Sequence, residues 1–433
     1  MNICLLNDSF PPVIDGVANV VMNYARILTE DLSASVLVGT PRYPDADYSG
    51  YPYEVVAYPS IDTTHIVSGY RAGNSLSIRE LERIAEFGPD IIHTHCPASS
   101  TLMARILKHE TGAPVVFTYH TKFDIDIERA VGDGLLKKEA IKVMVNNISA
   151  CDEIWTVSEG AGENLKGLGY EGEYRVMANG VDFAKGRASE SEVAKATADY
   201  DLPKGVPVFL FVGRLVKYKG IPLILKALAM LKDRGQDFRM LLVGSGPDEA
   251  ELKEMTEELR LSDRVIFTGA IRDREVLRAV NTRADLFLFP STYDTNGLVV
   301  REAAACGLAG VLVKGACAAE GITHGRNGYL IDETPEAMAE LLTEVCKDPA
   351  KMREVGERAM DEIYISWEDA VGRAYDRYCE IRELAAAGEY LKNRKEPAEH
   401  IHEMVKHFYQ NIYETIKTEI EAHAEAWKGQ LWQ

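Results

Sequence analysis

The chain has 433 residues, 46% of them apolar and 27% charged, which at roughly 150 residues per domain predicts two or three domains and excludes disordered, collagen-like and disulfide-stapled classes. Acids outnumber bases, 67 Asp and Glu against 48 Lys and Arg, and the net charge of −19 repels a phosphate backbone, so nucleic acid is not an expected partner. Seven dispersed cysteines without a C-x-x-C pair read as reduced thiols, and no run approaches the 18 or so apolar residues of a membrane span. The opening MNICLLNDSF reaches Asp8 before an apolar run of signal-peptide length, so the expected location is cytoplasmic, with any membrane contact peripheral at the inner face.

Strand-like runs come first at NICLLN (2–7), SVLVG (35–39), DIIHTH (90–95), PVVFTYH (114–120) and DEIWTV (152–157). A second series follows at PVFLFVG (207–213), FRMLLVG (238–244), RVIFTG (264–269), DLFLFP (285–290) and AGVLV (309–313). Continuous Val, Ile, Leu and Phe without polar alternation marks strands buried on both faces, as in parallel sheets. Helical patterns lie between them, among them 16–28, 220–235 and 249–261. The alternation predicts α/β architecture with two doubly wound, Rossmann-like domains facing across a cleft. The expected divisions are 1–182, 183–365 and 366–433, with the polar stretch 183–205 read as a linker plus a short helix.

From about 383 onward the pattern is helical alone. Ile401, Val405, Phe408, Ile412, Ile416 and Ile420 form one apolar stripe at helical spacing. With six Lys/Arg against nine Glu between 383 and 433, the stripe suits packing within the protein or a homo-oligomer better than an anionic bilayer.

Several strand ends carry residues suited to a phosphorylated ligand. Arg214 follows the strand at 207–213 and Lys219 opens the next helix, a forked cation and a compact one that together suit a diphosphate. Taken alone, a Gly-Arg at a strand end reads more readily as part of a surface salt-bridge pair. Gly244 and Gly246 in VGSGP permit a tight turn before a helix, with Ser245 between them. The segment FPSTYDTNGLVVREAAACG (289–307) is the most informative. It sets Asp294, Asn296, Gly297 and Leu298 at a helix N-terminus, where backbone amides can bind an anion or hydroxyls, and Glu302 where it can accept two ribose hydroxyls. Gly16 opens a helix and would allow close approach by phosphate. His120 and Thr121 end a strand, while His93 and His95 share a strand face and read as structural rather than metal-binding.

Ten segments in order resemble the retaining glycosyltransferases of family 4, which have the two-domain GT-B fold. They are DSFPPVIDGVANVV, PDIIHTH, VVFTYHT, DEIWTVSEGAGENL, YRVMANGVD, FVGRLVKYKG, LLVGSGP, RVIFTGAI, FPSTYDTNGLVVREAAACG and GRNGYLID, covering about residues 1–380. The resemblance implies a nucleotide-diphosphate sugar as co-substrate, with no metal or other cofactor. Arg214 and Lys219 would hold its diphosphate and Glu302 its ribose. Gly244, Ser245 and Ile271 would line the donor site, and Asp294 with Asn296–Leu298 would face the sugar. Gly16 would lie over the phosphates. His120 would sit near the transferred sugar, with Thr121 and Phe123 on the acceptor side. SWEDAVGRAYDRYCEI (366–381) is similar to the family's last helix, which crosses back to the first domain.

Three positions depart from the family pattern: Asp294 stands where Glu is usual, Asp15 precedes Gly16 in place of a second glycine, and CGLAG (306–310) lacks a proline. The TYHTKFDIDI segment is similar to relatives that glycosylate diacylglycerol and other membrane lipids, although residues 1–182 carry 14 Lys/Arg against 25 Asp/Glu. Lys137, Lys138 and Lys142 are the basic face that remains for a membrane. The reading is therefore hexose transfer from a UDP-sugar, UDP-glucose first, with GDP-mannose behind. The acceptor leans toward a membrane lipid. The alternatives are a soluble acceptor, a GT-B epimerase and an inactive sugar-nucleotide-binding relative.

Overall fold

The computed structural model describes residues 1–13, 15–63, 71–124, 127–128 and 132–390. The apolar stripe of Ile401–Ile420 and the oligomer contact expected from it lie outside the described residues.

The chain divides into two compact units. The first comprises Met1–Thr118, Ile127–Ile154 and the described residues from Asp376 on; the second comprises Tyr119–Asp126 and Trp155–Tyr375. All ten strands read from the sequence form, within a residue or two of the expected ends. One sheet holds β1 (Asn2–Leu6), β2 (Ser35–Pro41), β3 (Glu54–Tyr58), β6 (Ile91–Thr94), β7 (Val115–Tyr119), β8 (Glu153–Thr156) and β9 (Arg175–Val176), in the order β3-β2-β1-β6-β7-β8-β9. Between them, β4 (Ser60–Asp62) and β5 (Arg71–Gly73) pair antiparallel as a separate ribbon. The second sheet contains β10 (Val208–Val212), β11 (Arg239–Val243), β12 (Val265–Gly269), β13 (Leu286–Phe289), β14 (Gly310–Val313) and β15 (Tyr329–Ile331), in the order β12-β11-β10-β13-β14-β15, parallel throughout.

Burial explains the unbroken apolar runs: every residue of β10 and of β13 is buried. Phe211 and Phe289 stack with ring centroids 5.8 Å apart, and Phe287 lies 5.7 Å from Phe289. Burying such side chains contributes about 1.5–3 kcal/mol each.

The helices in chain order are α1 (Gly16–Glu30), α2 (Ile78–Phe87), α3 (Ser99–Thr111), α4 (Leu135–Ile148), α5 (Glu159–Gly167) and α6 (Glu190–Ala196). They continue with α7 (Ile221–Asp233), α8 (Glu249–Glu258), α9 (Arg274–Arg283), α10 (Leu298–Ala305), α11 (Pro335–Val345), α12 (Pro349–Glu362) and α13 (Trp367–Ala386). Helix α6, closed by a Ser189–Glu192 capping box, is the short helix expected within 183–205. Its surroundings are not a free linker, because Ala196, Tyr200 and Leu202 pack on the core of the second unit.

Each sheet has a switch point, where chain order reverses about its first strand. In the first sheet β1 lies between β2 and β6. There Asp8, 5% exposed, accepts the backbone N–H of Ser100 at 2.8 Å and of Ser99 at 3.1 Å, so its carboxylate fills the N-terminus of α3. Burial pushes the Asp8 carboxyl above its usual range, against the pull of these hydrogen bonds.

Helix α13 is shared. Its start belongs to the second unit, and from Asp376 it belongs to the first. There the Arg377 guanidinium holds Glu153, with its Nη2 donating at 2.6 Å. Tyr378, fully buried, shares a hydrogen bond with Nδ1 of His93. Nε2 of His93 pairs with Thr118 Oγ1 at 2.7 Å, so His93 is a satisfied core residue, as its strand position suggested.

Candidate functional site

In the second sheet the switch point lies at β10, between β11 and β13. The segments leaving β10 and β13 come into direct contact. A Cβ on Gly220, at φ 79°, would lie 2.7 Å from Pro290 Cγ, so the approach needs glycine. It brings Lys219 against the loop after β13. The Lys219 ammonium donates to Asp294 Oδ1 at 2.9 Å, and the other carboxylate oxygen accepts from Ser291 Oγ at 2.6 Å. The ammonium also sits 5.6 Å from the centre of the Phe289 ring. Arg214 is exposed; its carbonyl accepts from Val216 N at 2.9 Å, and its guanidinium makes no hydrogen bond or ion pair among the described residues.

The same loop runs into α10 through Gly297, which is left-handed at φ 59°; a Cβ there would come 2.7 Å from that of Ala318. The first amides of a helix have no partner within it and favour an anion. Asn296 just before the turn is 8% exposed. Arg301 Nε donates to its Oδ1 at 3.3 Å, and its Nδ2 has no partner among the described residues.

One turn further on, Glu302 is held from a direction the sequence did not suggest. Arg274, the first residue of α9, donates to Glu302 Oε1 at 2.6 Å. Its guanidinium covers the Phe183 ring at 4.4 Å and lies 3.7 Å from Asp182 Oδ2. Burial pushes the Glu302 carboxyl above its usual range, and Arg274 pulls it back.

His120 follows β7 and is 7% exposed; burial lowers its pKa to about 3, so the ring is neutral near pH 7. Thr295, from the loop that carries Asp294, donates from Oγ1 to the His120 carbonyl at 2.6 Å. The Thr295 carbonyl accepts from Ser158 Oγ, the N-cap of α5, also at 2.6 Å. Thr121 and Phe123 are half-buried, the Phe123 ring 5.6 Å from that of Tyr119.

Gly244 and Gly246 answer to the chain's own backbone. A Cβ would fall 1.9 Å from the Gly213 carbonyl oxygen at the first and 2.2 Å from that of Leu215 at the second. Ser245 is exposed, and its carbonyl accepts from Leu215 N at 3.0 Å. Ile271, after β12, packs on the second unit's core. Gly16 belongs to the first unit, where a Cβ would meet open space; Asp15 turns back to cap α1, accepting from Ala18 N at 2.7 Å.

Residues 14–185 match the family described as Glycosyltransferase Family 4, and residues 193–362 match Glycosyl transferases group 1. The chain belongs to the GT-B glycosyltransferases. Over 312 residues it is 26% identical to the alpha-monoglucosyldiacylglycerol synthase of Streptococcus pneumoniae, a match covering 71% of this chain and 70% of that one. It is also 26% identical over 401 residues to the GDP-mannose-dependent alpha-mannosyltransferase of Corynebacterium glutamicum, covering 89% and 90%. The crystal structure of Anabaena HepE in complex with UDP superimposes with a TM-score of 0.69 at 19% identity, over 88% of this chain and all of that one.

In this glycosyltransferase the described residues hold no group of three or more His, Cys, Asp or Glu side chains placed to bind a metal ion. No helix among them is long and apolar enough to cross a membrane. Sequence reasoning missed Arg274, Thr295 and Ser158. Arg274 did leave a signal, since a cation in the first turn of a helix sits at the wrong end of the dipole and needs another reason to be there.

Proposed function

We propose that this chain is a retaining hexosyltransferase that draws on a nucleotide-diphosphate sugar, UDP-glucose or a related UDP-sugar, and delivers the hexose to a hydroxyl of a membrane lipid. The observation that carries the donor half is the Lys219–Asp294 pair at the second switch point, with the start of α10 beside it and Arg214 unclaimed on the surface. A leaving diphosphate gathers negative charge as its bond to the sugar breaks. An ammonium, a guanidinium and helix amides already in place stabilise that charge without a metal.

In the step itself, the bond from the anomeric carbon to the phosphate oxygen breaks and the bond to the acceptor oxygen forms on the same face. The acceptor's proton passes to an oxygen of the leaving phosphate. Asp294, shorter by a methylene than the glutamate usual in the family, is tied to Lys219 and Ser291 and presents a fixed carboxylate to the sugar. His120, neutral near pH 7, serves as a hydrogen-bonding group rather than as the base.

The lipid acceptor is supported by α4 in the first unit. That helix leaves Leu135, Leu136 and Val143 exposed at 74%, 69% and 66%, with Lys138 and Lys142 on the surface beside them. Lys137 is engaged by Glu128 at 2.6 Å. Apolar side chains flanked by lysines suit a lipid headgroup boundary, where the enzyme would act peripherally.

Thermal shift with UDP-, GDP- and ADP-sugars tests the donor. A donor at 100 times its Kd stabilises the fold by about 2.7 kcal/mol, and the shift should vanish in Arg214→Ala. No shift with any of them overturns the donor site. For the acceptor, donor turnover is measured with diacylglycerol vesicles and with soluble sugars; turnover confined to soluble sugars replaces the lipid reading.

A further inference from the structure

We infer that Thr295 is a positioning residue: its hydroxyl fastens the loop that carries Asp294 to the main chain of His120, and so fixes the spacing of the two groups proposed to meet the sugar. The inference rests on the transferase reading of the site and adds to it a residue that sets the rate of transfer rather than the affinity for the donor.

Both ends of Thr295 are committed to distant parts of the chain. Its Oγ1 donates to the His120 carbonyl at 2.6 Å, 175 residues back. Its own carbonyl accepts from Ser158 Oγ at 2.6 Å, 137 residues back. Both lie at the short end of O–H···O geometry. Ser158 is 3% exposed, and its oxygen accepts from Ala161 N at 3.1 Å while its single proton goes to Thr295. A more exposed tie joins the same two loops, from Lys122 Nζ to the Thr292 carbonyl at 3.2 Å.

A threonine just before a helix ordinarily directs its hydroxyl to nearby backbone, in a cap or a turn. Here the N-cap of α10 is Gly297, which offers no side-chain acceptor, and Thr295 two residues earlier still sends its hydroxyl to His120. What the bond secures is a spacing. Asp294, the adjoining residue, is held by Lys219 and Ser291, so its carboxylate and Thr295 are stationed together. His120 is 7% exposed and neutral near pH 7, so no charge on its ring draws it toward Asp294. Its backbone must be held instead, and a β-branched side chain with few rotamers makes a stiff strut for that. Misplacement by about 1 Å at a reacting centre costs up to about 10²-fold in rate. The strut is uncharged, so removing it leaves the cations proposed for the diphosphate in place.

The test measures transfer and nucleotide binding in wild type, Thr295→Val, Thr295→Ser, His120→Ala and the combination of Thr295→Val with His120→Ala. Thr295→Ala serves as a second hydroxyl-free form, and circular dichroism and thermal melting confirm that each variant is folded. UDP-glucose, GDP-mannose and ADP-glucose are the donors, with diacylglycerol vesicles, soluble sugars and water as acceptors. Titration with the matching nucleoside diphosphate reads the donor site alone. Thr295→Val keeps the shape and loses the hydroxyl; it should lower kcat about 10- to 100-fold and leave the nucleoside diphosphate Kd within about twofold. Thr295→Ser should recover most of the rate. The combined variant should be no slower than His120→Ala alone, because Thr295 acts through His120.

A wild-type kcat in both hydroxyl-free forms overturns the inference and leaves the transferase reading standing. So does a loss of nucleotide affinity that matches the loss of rate, since Thr295 would then only support the loop. Thr295→Ser as slow as Thr295→Val would show that the hydroxyl is not the agent, and additive losses in the combined variant would separate Thr295 from His120. Absence of turnover by wild type with every donor removes the transferase reading itself.

Discussion

The two switch points of this molecule are built on the same topology and end in opposite states. Each places a loop after the reversing strand beside the N-terminus of the helix that follows the neighbouring strand. In the first sheet the loop after β1 delivers Asp8, and the positive end of α3 is satisfied by a carboxylate that the chain itself supplies. In the second, the loop after β10 delivers Lys219 and the exposed Arg214, while α10 begins at a left-handed glycine. The Lys219 charge is shared with Asp294 across the gap. A doubly wound sheet thus offers an anion seat wherever its order reverses; the first is filled from within, and the second is the one we propose for a ligand.

The largest effect that would sharpen this contrast is Lys219→Ala. Loss of a preorganised charge on the leaving group should lower kcat by about 10²–10³-fold, roughly 2.7–4 kcal/mol, with the fold intact by circular dichroism. An unchanged rate would mean that the second seat is as occupied as the first. The counterpart, Asp8→Ala, should act on stability instead. It leaves the amides of Ser99 and Ser100 without their acceptor and should cost about 1–3 kcal/mol in urea unfolding. Nucleotide affinity should stay at the wild-type value; a loss there would show that the first switch point also serves the ligand.

The pH dependence of binding is a smaller effect. Burial raises the Glu302 carboxyl, Asp182 adds to the rise, and Arg274 opposes both. A ligand that takes the ionised carboxylate binds more weakly as pH falls through this raised value, by up to about tenfold per pH unit below it. In Arg274→Gln the decline should begin at higher pH. A titration series between pH 5 and 8 reads both, and superimposable profiles would remove Arg274 from the account. The smallest change is expected at His120, whose pKa is lowered to about 3. Its ring-carbon NMR shift should stay flat from pH 5 to 8, whereas a midpoint within that range would place the imidazole in water. Because the unfolded imidazole takes its proton near 6.5, this residue favours the fold above that pH and costs stability as pH falls below it.

The frame of the molecule was legible because long apolar strands and amphipathic helices advertise themselves locally. What escaped was short or enclosed: β3 (EVVAY) among tyrosine-rich turns, and β15 with three residues. At the site, the Lys219–Asp294 contact joins residues 75 apart, and the spacing of Asp294 and Glu302 says nothing of it. The glycines of VGSGP suggested a phosphate turn, and their missing side chains also make room for the carbonyls of Gly213 and Leu215, which the sequence did not show. A composition signal cannot distinguish a ligand's approach from a backbone's. Arg274 was hidden for a related reason: its meaning comes from Phe183 and Glu302, which only the tertiary structure brings to it.

The shared helix α13 bears on how the chain is born. Tyr378 reaches the first unit from 285 residues beyond His93. A ribosome adding about 5–20 residues per second needs roughly 10–50 s to pass from the end of β7 to that tyrosine. Through that interval the N-terminal sheet waits with its seat for Tyr378 unfilled, while almost all of the second unit has already emerged. The contact between the part made first and Tyr378 thus becomes available only after nearly all of the second unit has been made.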